Sequence, residues 1–216
     1  MKKIKKILSV ISASVICTLP MMNGAAANAV RAGQYDTYMV FCDVKANSGV
    51  KFCNMIVYHN GEDQAQAMYG NLGNGDMQTY ITNRVDGTVS YATMYNAKGA
   101  LAASGTIFKV KVVTEPKDPM EKIPFEVNDP SAFDVNYTFL GKGVATKEIV
   151  MIGDVNGNQC VDISDAVLIK QHLVNSTDYP LDKKAFRAAD VNYDGIVNDE
   201  DALIIQKYVA GSISNF

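Results

Sequence analysis

The sequence predicts a mainly β N-terminal domain, an antiparallel β-sandwich, followed by a small all-α unit of two loop-helix repeats. Three observations carry this. Short strand-like runs separated by turn pairs fill residues 35–151, and helical spacing of apolar residues replaces them from Gly153 onward. The C-terminal segment also aligns with itself after a shift of 36 residues, Asp154 falling on Asp190.

The first element lies ahead of both units. Lys2, Lys3, Lys5 and Lys6 precede an apolar run from Ile7 to Met22, and Ala27-Asn28-Ala29 follows as a small-residue cleavage pattern. This order predicts a secretory signal peptide over residues 1–29. A membrane anchor is the alternative, but Ser9, Ser12, Ser14, Thr18 and Pro20 interrupt a run already short for a ~20-residue span. No second long apolar run follows, so the expectation is a secreted protein with no membrane partner. The balance of 20 basic against 23 acidic residues lacks the basic surplus that nucleic acid requires.

Strands are expected next, over residues 30–152. MVFCDVK, VKFCNMIVY, MQTYITN, TVSYATMY, GTIFKVKVV, PFEVND and KEIVMI read as strands, with Asn60-Gly61, Asp86-Gly87 and Lys98-Gly99 as turns. In GTIFKVKVV, Phe108, Val110 and Val112 alternate with Lys109 and Lys111, the latter pair set outward as candidates for partner contact. The first two runs read as a hairpin turning near Asn47-Ser48-Gly49, which would set Cys42 opposite Cys53. A disulfide or two half-buried thiols both fit there. With the leader's cysteine gone, Cys42, Cys53 and Cys160 leave an odd count.

Helices are expected at 164–174, 181–190 and 199–210. Val167, Leu168, Leu173 and Val174 supply the predicted core stripe of the first, and Leu203, Ile204, Ile205 and Val209 that of the last. The repeats, 153–174 and 189–210, each begin with a twelve-position loop. Calcium takes ~6–8 oxygen ligands, which such a loop supplies from positions 1, 3, 5, 7, 9 and 12. Copy one offers Asp154, Asn156, Asn158, the Cys160 carbonyl, Asp162 and Asp165; copy two offers Asp190, Asn192, Asp194, the Ile196 carbonyl, Asn198 and Asp201. Two bound Ca2+ ions are therefore expected. An Asx-rich turn capping a helix is the alternative for one loop alone, and the duplication argues against it for both. Gly195 holds position six of the second loop, where the first has Gln159. Gln159 must adopt a positive φ, at about 1 kcal/mol, and Asn158 stands where the second loop has Asp194, so the first site is expected to bind more weakly. Neither loop is expected to follow a helix of its own.

These residues resemble a family. Residues 153–216 are similar to a type I dockerin, the calcium-dependent module by which secreted proteins plug into cohesins of cellulosome-type complexes. The resemblance implies partner contacts at Ile163, Ser164, Lys170 and Gln171 in copy one and at Asp199, Glu200, Gln206 and Lys207 in copy two. Since Ile163-Ser164 and Asp199-Glu200 differ sharply, one docking orientation is expected over a two-fold pair.

Residues 33–151 resemble a cohesin in the order of their features: paired early strands, a Gly-containing middle, the Phe108-Lys109-Val110 strand and the closing Gly141-Lys142-Gly143-Val144 turn. Tyr58-His59 stands where that family has Tyr-Asp. Together the resemblances imply an adaptor scaffoldin without catalytic activity, in a polysaccharide-degrading complex. Its dockerin would bind a cohesin on a larger scaffoldin, and its cohesin-like module the dockerin of an enzyme or other component. A carbohydrate-binding module is the alternative, with Tyr91 and Tyr95 sharing a strand face in a chain without Trp. A small glycan-active enzyme is a second, with Glu62, Glu115, Glu121 and Glu126 as available carboxylates.

Overall fold

The computed structural model describes residues 33–59, 64–73, 79–86, 88–96, 100–117 and 121–216. The expected leader and the Asn60-Gly61 and Lys98-Gly99 turns lie outside the described residues. The chain divides into two compact units, one built on Tyr35–Glu115 with Lys122–Met151 and the other on Ile152–Phe216.

The first unit consists of antiparallel strands β1 (Asp36–Val44), β2 (Phe52–Tyr58), β3 (Gln64–Tyr69), β4 (Thr79–Asp86), β5 (Val89–Asn96), β6 (Gly105–Thr114), β7 (Glu126–Val127), β8 (Ser131–Phe133) and β9 (Ala145–Met151). One sheet runs β3-β6-β1-β9 and the other β4-β5-β2-β7, with β8 also on β2. Alternation builds the core between them: Val40, Cys42, Phe108, Val110 and Val112 from one sheet meet Cys53, Met55, Val57, Ala92 and Met94 from the other.

The expected hairpin does not form. β1 is flanked by β6 and β9, and β2 by β5, β7 and β8, so the two strands lie in different sheets. Residues 45–51 form an arch instead, with Asn47 at φ 52° and Gly49 at φ 75°. The arch is held by Asn47 N–H to the Ala102 carbonyl (2.9 Å) and Lys51 N–H to the Phe133 carbonyl (2.8 Å). A turn signal fixes where the chain reverses, but the pairing along both edges of each strand decides which sheet it reverses into.

In the second unit, α1 (Ile163–Val174), α2 (Lys183–Ala189) and α3 (Asp199–Val209) match the expected helices to within a residue or two. Each begins on an oxygen cap: Asp162, Asp182 and Asn198 accept backbone N–H bonds, and α1 and α3 add capping boxes through Asp165 and Asp201. α2 runs directly into Asp190, so the second loop does follow a helix, contrary to the sequence expectation.

The predicted core stripe is also corrected. Val167 and Val174 are 47% and 88% exposed and Leu173 is exposed with them, whereas Ala166 and Ile169 are buried; in α3, Ile205 is buried as expected, but Leu203 and Val209 are exposed and Ala202 and Tyr208 are buried instead. The position-twelve carboxylates set this rotation. Asp165 and Asp201 turn fully inward to their loops, which carries the residues one and four further along inward as well, and in α3 also Tyr208 a further turn on. The stripe two further along then faces solvent.

The C-terminus closes this unit. α3 ends in a Schellman pair, Ser212 N–H to the Lys207 carbonyl (2.8 Å) and Gly211 N–H to the Tyr208 carbonyl (2.9 Å). The chain then returns to lay Phe216 on Tyr208, ring centroids 4.6 Å apart. A Cβ on Gly153 would come within 2.7 Å of the Phe216 ring, so this glycine is required both for space and for its φ of 90°.

Candidate metal loops and interaction faces

Both loops repeat the same hydrogen bonds 36 residues apart. Position one accepts from the N–H of position six: Gln159 to Asp154 at 2.9 Å, and Gly195 to Asp190 at 3.1 Å. Position three accepts from position five, Asn156 from Asn158 at 2.9 Å and Asn192 from Asp194 at 3.0 Å. Position five accepts from position seven, Asn158 from Cys160 at 2.9 Å and Asp194 from Ile196 at 2.7 Å. Position twelve ties the loop's two ends: Asp165 takes Val155 and Asp162 N–H groups, both at 2.9 Å, while Asp201 takes those of Val191 (3.0 Å) and Asn198 (2.9 Å). The duplication read from sequence is thus a duplication of fold. Val161 and Val197 at position eight are both buried.

Sequence reasoning missed position four. Gly157 (φ 75°) and Gln159 (φ 67°) are left-handed in the first loop, and Tyr193 (φ 65°) and Gly195 (φ 85°) in the second. Each loop therefore needs two left-handed residues and has one glycine for them, in opposite order. The Asn156-Gly157 pair was the available signal. Gln159 takes the positive φ expected of it, yet Tyr193 carries the same burden, so backbone strain no longer ranks the two sites. Only the exchange of Asn158 for Asp194 remains to do so.

The donor set is all oxygen, as calcium requires. Burial pushes the Asp154 carboxyl up from its ordinary value, and Asp165 is raised to about 7 by burial, with the charges of Asp154 and Asp162 adding to it. That concentration of negative charge is what a cation relieves. Among the described residues no three His, Cys, Asp or Glu side chains gather into a metal site by themselves. The carboxylates are turned onto backbone N–H groups, and each loop's set is completed by Asn amides and a carbonyl. The residues present fit calcium rather than a thiolate- or imidazole-seeking metal.

Around the loops, Ile163, Ser164, Lys170, Asp199, Glu200 and Lys207 are exposed, while Gln171 and Gln206 are half-buried. With Val167 and Leu203 they form equivalent outward stripes on α1 and α3. The Ser164 hydroxyl accepts from the Asn156 amide at 2.8 Å, linking position eleven to a predicted ligand.

On the sandwich, Lys109 and Lys111 are half-buried beside Phe41 and Met39, which are themselves buried, and burial lowers the Lys111 ammonium from its ordinary value. The open face belongs to the other sheet. Phe52 lies opposite Tyr95 in the β2–β5 register, their rings 4.9 Å apart, and Tyr137 stacks on Phe52 at 4.5 Å while 70% exposed. Lys51 Nζ sits 5.4 Å from the Tyr95 ring centroid. Tyr91, on the same face, is exposed. Strand periodicity had set Tyr91 and Tyr95 on one face, but Tyr137 comes from a distant loop, so periodicity gave no sign that the cluster includes this residue.

No curated protein matches the chain. Among solved structures, a non-cellulosomal cohesin from the hyperthermophilic archaeon Archaeoglobus fulgidus is 13% identical at a TM-score of 0.38, over 50% of this chain and 75% of that one. A structure from Acetivibrio cellulolyticus, the third cohesin of ScaC in complex with the ScaB dockerin, contains a chain 34% identical at a TM-score of 0.29. The match covers 31% of this chain and 92% of that one. The family model of the dockerin type I domain matches residues 152–210, the span holding both loops and all three helices, and this part of the chain is a dockerin type I domain.

Proposed function

We propose that the protein is a secreted, non-catalytic adaptor whose dockerin binds a cohesin in a calcium-dependent way. The observation that carries this is the pair of outward stripes at equivalent places on α1 and α3, with Val167 and Leu203 exposed at their centres. An apolar residue with polar neighbours one turn on, Lys170 and Gln171 beside Val167 and Gln206 and Lys207 beside Leu203, suits a standard interface, which has an apolar core and a polar rim. Two Ca2+ ions, one in each loop, hold the helices in register. The cohesin-like sandwich receives another component's dockerin, supported by the order of its sequence features, and the aromatic face of β2 and β5 is the surface offered. Ile163-Ser164 against Asp199-Glu200 makes one docking orientation preferred.

The same aromatic cluster favours a second reading, in which the sandwich binds polysaccharide by stacking sugar rings on Tyr137 and Tyr91. Pull-down against panels of cohesins and dockerins, with and without chelator, separates the two. The adaptor reading expects cohesin capture that chelator abolishes, and dockerin capture by the 35–151 unit. A unit that ignores every dockerin but is retarded in a polysaccharide gel favours the second reading; release of reducing sugar would establish an enzyme instead.

A further inference from the structure

We propose that Cys42 and Cys53 are a disulfide-forming pair, a covalent staple between the two sheets that is set while the sandwich folds. Both side chains are in the core, 0% and 1% exposed, and their Sγ atoms lie 3.6 Å apart. Cys42 is on β1 at the register shift before Asp43, and Cys53 on β2 between Met94 and Ala132. Each strand is anchored by partners along both edges, so the thiols are brought together by the architecture and not by a flexible loop. A disulfide holds its sulfurs about 2.05 Å apart. The two must therefore approach by about 1.5 Å for the bond to form.

The chemistry needs an oxidant, and a low-molecular-weight disulfide of the glutathione class, RSSR, suffices. One cysteine, as thiolate, attacks RSSR to give a mixed disulfide and RS⁻. The other, losing its proton, attacks the first cysteine's sulfur and expels the second RS⁻. Two protons and two electrons leave the protein, and RSSR becomes two RSH. In the closed fold neither thiol can meet RSSR, and the Cys42 thiol is held well above its ordinary value by its hydrogen bond with Cys53 and by burial. Exchange therefore belongs to the interval before the sheets close, and the redox conditions at folding fix the state of the mature protein.

The test is refolding of the reduced, denatured full chain in calcium, with either a mixture of reduced and oxidised glutathione or excess reduced glutathione. Peptide mapping should show the Cys42 peptide joined to the Cys53 peptide in the first case only, two hydrogens lighter than the pair. The sandwich should melt about 5 °C or more higher when linked. If refolding is inefficient, chain produced in an oxidising periplasm and in a reducing cytosol gives the same comparison. Alkylatable thiols at both positions under every oxidising condition, or a link from either cysteine to Cys160, overturns the proposal.

Discussion

Gln159 is the residue at which the two loops are unequal in sequence and prove equal in backbone. Each loop places a glycine at one left-handed position and a larger residue at the other. A Cβ on Gly157 or Gly195 would meet nothing within 4 Å, so Gly157→Ala and Gly195→Ala should each cost about 1 kcal/mol from backbone strain alone. Denaturant unfolding of the two variants checks this, and very unequal losses would contradict the symmetry. Gln159→Gly relieves strain but loosens the unfolded chain, a change of about 0.4–1 kcal/mol in the opposite sense, so its net effect should be small. The exchange of Asn158 for Asp194 instead predicts a weaker first site, and calorimetry of Asn158→Asp should show the first site tightening toward the second. Asp165 adds a pH dependence. Its folded value of about 7 exceeds the ordinary 3.8, so without calcium its contribution to stability is fully present below pH 4 and is lost as pH rises to about 7. Asp154, also raised, acts in the same direction. Calcium needs the ionised carboxylates, so first-site affinity should fall as pH drops below 7. Urea midpoints of calcium-free protein at pH 5 and pH 8, with calcium titrations at both, measure the two opposite slopes.

At the scale of elements, the orientation of α1 and α3 is set by their first turn. Asp165 and Asp201 are simultaneously loop ties, capping-box partners and the inward end of a helical stripe. Apolar periodicity alone selected Val167 and Leu203 for the core, and it failed because a buried carboxylate outranked the more apolar face. That failure leaves the apolar residues outside, where a partner can use them. Val167→Asp and Leu203→Asp should therefore leave the fold intact, by circular dichroism, and weaken cohesin capture at least tenfold for the copy that docks. If neither weakens capture, the outward stripes are not the contact surface. The C-terminal closure makes the opposite demand. Phe216→Ala removes a buried ring from Tyr208 and Gly153 and should cost about 3 kcal/mol, read as a lower denaturation midpoint of the dockerin. β3 went unseen because its sequence, QAQAMY, holds no β-branched residue and is mostly alanine and glutamine, neither of them enriched in strands; it is an edge strand specified by pairing to β6.

At the scale of the whole molecule, the chain carries two units with different stabilising terms. The sandwich rests on an apolar core between two sheets, and the dockerin on a small core plus loops crowded with carboxylates. Chelator should accordingly lower the melting transition of the dockerin and leave that of the sandwich in place, which differential scanning calorimetry with and without calcium will resolve. A common shift of both transitions would show that the units do not unfold separately.

The sequence by itself determined the division into a strand-built and a helix-built unit, the three helices and the loop repeat. All of these depend on local spacing or on chemistry carried within a dozen residues. Only the tertiary structure decided that Cys42 and Cys53 meet across two sheets, that Tyr137 joins Phe52 and Tyr95, and that Val167 and Leu203 face outward. Those outcomes depend on which backbone edges pair and which buried group prevails, and such competitions are settled between segments distant along the chain.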